Sequence, residues 1–182
     1  MLKASGNSHL ERYGLVSRLL HWLIAVGIAV LVGLGWYMTG LSYYDPWYHK
    51  GPEIHKALGT LVFGAGVFRL IWVWLNPSPP LMPSLKPWER LAAKTVHRLL
   101  AAFIAVLPIT GYVVSTSAGS PVSVFGLFEL PALLPKSETV RNGAEYFHYY
   151  LAYGGAALIF LHAGAALKHH FISRDDTLRR MI

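Results

Sequence analysis

Four stretches of this 182-residue chain are apolar over bilayer-spanning lengths: residues 19–38, 57–75, 99–116 and 146–167. About 20 such residues, wound as a helix, cross the hydrocarbon core of a membrane. Backbone groups in hydrocarbon have no water to bond, so each run must be helical or part of a closed barrel, and runs this long and continuous are helices. The composition agrees, with 54% hydrophobic and only 14% charged residues. The expected fold is all-α and integral to the membrane, a four-transmembrane-helix bundle with helices at about 16–40, 55–75, 92–117 and 145–170. Four spans leave little chain for anything else, so residues 1–182 are expected to form one domain.

Lys3, Arg12 and Arg18 precede the first run as they would in a signal peptide. The run is too long for a signal core and no small-residue cleavage site follows, so it reads as a retained helix. Cations then set the sidedness. Twelve of the 16 Lys and Arg fall at the end that carries both termini and the second loop; Lys50, Lys56, Lys136 and Arg141 fall at the other. Both termini are therefore expected in the cytoplasm. The net charge of +7 is mostly this topology signal, and nucleic acid is not an expected partner. The absence of cysteine excludes disulfides, iron–sulfur clusters, thiolate ligation and covalently attached haem.

Residues 1–14 are polar and read as a frayed or interfacial lead-in. Tyr43, Tyr44, Trp47 and Tyr48 give the first loop the aromatic character of the headgroup belt. Five prolines between 77 and 87 keep the second loop extended, and Pro108 is expected to bend the third span. The third loop contains SVFGLFELPALLP, too apolar for free solvation, and is expected to lie along the outer surface as an interfacial cap.

Histidines punctuate the spans. At about 100° and 1.5 Å per residue, His148 and His162 project from nearly one face of the fourth helix, roughly 21 Å apart. His169 continues that face, whereas His170 leaves it and reads as a headgroup residue. Sorted by depth, His55 and His148 form an outer pair, and His21, His97, His162 and His169 an inner set. One buried histidine is commonly a hydrogen-bonded core residue. Depth-matched pairs from different helices point instead to a planar metal cofactor with two axial imidazoles, at two depths, as two b-type haems would require. Zinc is a poorer match, because it takes three or four protein ligands and no carboxylates lie at these depths.

Fourteen residues from His21, His55 and His97, the same helix faces carry Gly35, Arg69 and Gly111, and Gly155 lies midway between His148 and His162. The glycines could make room for a flat cofactor or simply for close helix packing. Arg69 could pair with a haem propionate at the inner depth or snorkel to the headgroups.

Four spans with RLLHWLIA, HKALGTLVF, HRLLAAFIAVLPITGYVVSTSAG and HYYLAYGGAALIFLH resemble the prokaryotic cytochrome b-561 family from about Tyr13 to the C-terminus. The resemblance implies a dihaem b electron-transfer protein of the bacterial inner membrane. It implies His21 and His162 as ligands of the inner haem iron and His55 and His148 as ligands of the outer. It also implies passage of electrons from an outer donor, superoxide above all, to ubiquinone in the quinone pool. The alternative is a haem b subunit docked to a multi-subunit membrane dehydrogenase or hydrogenase, with a donor protein as partner. His97 and His169 are left over, and could bond a quinone head and relay its protons or only sit among headgroups. The outer cations could draw an anionic substrate, but Asp45, Glu53, Glu129, Glu138 and Glu145 share that side, so any steering is local.

Overall fold

The computed structural model describes residues 12–182. Most of the polar lead-in, and Lys3 with it, lies outside the described residues. Four long helices follow: α1 (Leu15–Met38), α2 (Trp47–Leu75), α3 (Pro87–Ser117) and α4 (Glu138–Lys168). Each is long and apolar enough to cross a membrane. Their outer surface is greasy, with Leu23, Leu61, Phe160 and Leu161 all exposed, as lipid contact requires.

Helix α1 packs on α2, α2 on α3 and α3 on α4. Small residues set the approach. A methyl group at Gly27 would sit 2.6 Å from Val62 Cγ2, and one at Gly66 would overlap Ile104, so these glycines let neighbouring helices meet nearly backbone to side chain.

The helices begin earlier than the apolar runs do. α2 starts at Trp47 rather than 55, where the Asp45 carboxylate accepts from the Trp47 N–H at 2.8 Å. Pro52 is accommodated within its opening turns. α3 starts at Pro87 rather than 92, with proline in the first turn, where its missing N–H is not needed, and Glu89 accepting from the Lys86 N–H at 3.0 Å. α4 starts at Glu138 rather than 145, because Ser137 Oγ caps the Val140 N–H. Hydropathy locates the membrane-crossing part; the caps lie a turn or two beyond it. The proline-rich second loop is non-helical as expected, and α3 runs through Pro108 without interruption.

The third loop departs from an all-helical picture. It forms a small antiparallel hairpin, β1 (Val122–Val124) with β2 (Phe128–Leu130), Val124 facing Phe128. Phe125 and Gly126 both take positive φ, 51° and 71°, closing the tight turn. Val122 and Val124 are buried against α2 and α3, over buried Ser115, Thr116 and Ser117, while Phe125 and Leu127 stay exposed. The hairpin is thus half plug and half apolar surface.

At the opposite end the termini meet. The Tyr13 N–H donates to Arg180 O at 3.1 Å, and the Trp22 indole N–H to Met181 O at 2.9 Å. Arg180 reaches Pro80 O in the second loop at 2.8 Å, its guanidinium 5.8 Å from the Tyr13 ring centre. This tail straps α1 to the loop between α2 and α3.

Candidate functional site

Five of the spans' histidines come together in two groups, one at each end of the bundle. At the hairpin end, His55 of α2 and His148 of α4 face each other, ring centres 6.2 Å apart and planes crossed at 78°. At the terminal end, His21 of α1 and His162 of α4 are also 6.2 Å apart, crossed at 66°. His97 of α3 joins the second group, 5.3 Å from His162. His169 does not join it.

The spacing has chemical content. Two imidazoles on opposite sides of one metal, each with its nitrogen about 2 Å from the ion and its ring centre about 1 Å beyond, hold those centres about 6 Å apart. His55–His148 and His21–His162 share that separation, and His97–His162 is closer. Among the described residues, no three His, Asp or Glu side chains converge to hold a bare metal ion. The chemistry of the donor set therefore fits a flat, bis-imidazole cofactor better than zinc.

Local bonding prepares one of these rings. Thr110 Oγ1 donates to Leu107 O at 2.6 Å, so its lone pairs are left to accept. His148 Nδ1 lies 2.9 Å from Thr110 Oγ1 and 3.2 Å from Leu107 O, two acceptors. Nδ1 must then carry the proton, which leaves the Nε2 lone pair for a ligand outside the chain. His55 Nδ1 is buried without a partner among the described residues. The sequence pattern gave no sign of Thr110; its hydroxyl looked like ordinary helix interior.

The fourteen-residue step places two glycines where their faces meet the far histidines. A methyl group at Gly35 would sit 3.4 Å from His55 Cε1, and one at Gly111 3.1 Å from His148 Cε1. Each lets an imidazole lie against bare backbone. Gly155, by contrast, faces Phe103 at 3.1 Å. Arg69 is half-buried, within electrostatic range of His21, His97 and His162, and forms no ion pair among the described residues. The Trp22 ring stands edge-on to His21 at 5.4 Å, so the indole that holds the C-terminal tail also touches an inner histidine.

His169 belongs to a separate polar cluster. Its Nδ1 is 2.7 Å from Asp175 Oδ2, its Nε2 4.0 Å from Glu89 Oε1, and Glu89 also receives the Lys168 ammonium at 2.7 Å. The ring is almost wholly buried. The sequence pattern singled out neither Glu89 nor Asp175. Burial alone would push the Asp175 carboxyl up, but hydrogen bonds from Thr177 and His169 outweigh it and hold the group below the usual aspartate range.

Known proteins resemble this chain along nearly its whole length. The family model described as prokaryotic cytochrome b561 matches residues 12–182. The chain is 44% identical over 172 residues to cytochrome b561 homolog 2 of Escherichia coli K12, covering 94% of this chain and 92% of that one. It is 30% identical over 177 residues to cytochrome b561 homolog 1 of the same organism, covering 95% and 98%. It is 28% identical over 177 residues to a Yersinia pestis protein named probable superoxide oxidase CybB, covering 94% and 96%.

Because the folded-state value of Asp175 is depressed, its contribution to stability is present above the unfolded value of about 3.9 and fades as pH falls through the folded one. Asp175→Asn should therefore lower the thermal unfolding midpoint at neutral pH, and its gap to the wild type should close below about pH 4. Melting curves across pH check this; a gap that persists in acid contradicts it.

Proposed function

The chain belongs to the prokaryotic cytochrome b561 family, and from that premise we propose that it is a dihaem b protein carrying electrons from a donor at one membrane face to ubiquinone at the other. Membership makes it a haem b-binding membrane electron-transfer protein, multi-pass in the bacterial inner membrane. The finer reading assigns His21 and His162 to one iron and His55 and His148 to the other. The observation that carries it is the equal 6.2 Å spacing of these two pairs at opposite ends of the bundle. Gly35 and Gly111 support it by clearing backbone beside the outer pair, and Arg69 is offered as the partner of a propionate at the inner depth. Each haem, when bound, would supply one-electron redox chemistry that no side chain of this cysteine-free chain provides.

With twelve cations against four, the terminal end is assigned to the cytoplasm and the hairpin end to the outer face. Superoxide is the donor we favour, as the Yersinia relative's name suggests. The balanced conversion oxidises two superoxide anions to two O₂ and reduces one ubiquinone with two protons to ubiquinol. Lys50, Lys136 and Arg141 would draw the anion locally; Lys56 is turned towards Ser115 Oγ at 3.5 Å. Protons must reach the quinone, and His169 is the group we assign to deliver them. Asp175 holds the proton on Nδ1, so Nε2 is the nitrogen that takes up and gives. His97, beside His162, is assigned the quinone head rather than an iron. The exposed apolar tip of the hairpin, with Leu127 82% exposed, favours one further reading, a docking surface for a membrane dehydrogenase or hydrogenase.

Two measurements test this. Haem content per chain should be two in the wild type, fall to one in His148→Ala or His21→Ala, and stay at two in His97→Ala; loss of a haem in His97→Ala would overturn the inner assignment. The purified protein alone, given superoxide and a soluble quinone, should consume the first and form quinol. Inertness together with co-purification of a large partner would favour the subunit reading instead.

A further inference from the structure

Directly after α4 the chain builds a second polar feature, apart from the five grouped histidines. The helix widens into a π-turn at His169–Ser173 and stops at Arg174, which takes the left-handed conformation, φ 52° and ψ 38°. The wide turn brings Asp175 back onto the buried His169, and its neighbour His170 lies on the wall of a cavity of about 310 Å³. Arg174, Arg179, Asp175 and Phe171 complete that wall.

The wall offers donors and no free acceptor. Asp175 already uses both oxygens, Oδ2 on His169 and Oδ1 on the Thr177 N–H at 2.9 Å. Asp176 holds Arg179 only through a solvent-exposed pair at 3.3 Å, the kind of contact that contributes little and exchanges readily. The exposed Arg174 side chain makes no hydrogen bond or ion pair among the described residues; only its backbone N–H is engaged, donating to His169 O. Guanidinium groups present parallel donors that match phosphate oxygens. Beside the donors, Phe171 and Ile172 are 68% and 76% exposed, at the level where the apolar run of α4 gives out. A cationic pocket flanked by greasy side chains at the end of a span matches a charged headgroup with acyl chains attached.

We propose that this cavity binds the phosphate group of an anionic phospholipid, with Arg174 and Arg179 donating to its oxygens, and Phe171 and Ile172 lying along the acyl chains. Free inorganic phosphate shares the headgroup chemistry but has nothing to place against the two exposed apolar side chains. Ligation of the phosphate should also fix the turn that carries His169 and Asp175, since Arg174 lies within it.

The test uses the full haem-loaded chain in detergent, titrated with phosphatidylglycerol or with zwitterionic phosphatidylcholine and read by native mass spectrometry. The wild type should retain phosphatidylglycerol in preference. The double variant R174Q/R179Q should weaken that retention about tenfold, a change of about 1.4 kcal/mol, with an unchanged haem spectrum as the check on folding. R174Q alone alters an exposed, unpartnered side chain and should lose several-fold. R98Q, which removes a cation from the same end outside the cavity, should lose nothing. Equal retention of phosphatidylglycerol by wild type and double variant, or equal loss in R98Q, overturns the proposal. So does displacement of the lipid by millimolar inorganic phosphate, which would assign the cavity to a soluble anion.

Discussion

An imidazole placed in hydrocarbon has to satisfy its ring nitrogens from whatever lies beside it, and everything else in this bundle is arranged around that demand. The chain does not meet it by pairing histidines with carboxylates inside the spans. It meets it by bringing histidines from different helices face to face at two depths. His148 shows the solution most fully: Leu107 O and Thr110 Oγ1 take the Nδ1 proton, and Nε2 keeps its lone pair. Where a carboxylate does reach a histidine, at His169 with Asp175 and Glu89, it happens at the end of α4, beyond the apolar run.

The helical repeat links these arrangements. Fourteen residues are nearly four full turns, so one face of α4 can present a histidine at each depth. The same step on α1 and α3 puts a histidine at one depth and a glycine at the other, and the structure lays Gly35 against His55 and Gly111 against His148. Each helix therefore serves both ends, as a ring donor at one and as bare backbone at the other. The tight packing of Gly27 on Val62 and Gly66 on Ile104 holds these faces in register.

Much of this was legible before any coordinates. Hydropathy found all four spans, and depth sorting put His55 with His148 and gathered His21, His97, His162 and His169 at the other depth, because membrane thickness and helix rise leave few choices; the pairing of His21 with His162 came from the family resemblance. Helix starts were not legible from hydropathy, since Asp45, Pro87 and Ser137 act through caps that lie in polar sequence outside the apolar runs. The hairpin was missed because its strands are only three residues each, too short for alternation to stand out from an apolar loop. His169 was expected to continue the inner histidine face towards a site shared with His97. His169 keeps its place in the helix, but the π-turn that follows folds the tail back, and Asp175, six residues on, claims the ring. Contacts of that kind depend on how the tail folds back, which no period in the sequence encodes.

The most direct test of two bis-imidazole sites at opposite ends of one bundle is a potentiometric titration of the purified wild-type protein, followed by optical and electron paramagnetic resonance spectroscopy. Two one-electron transitions are expected, both arising from low-spin centres, with the strongly anisotropic signals that crossed imidazole planes produce. A single transition, or a high-spin centre in the intact protein, would contradict the paired-histidine assignment.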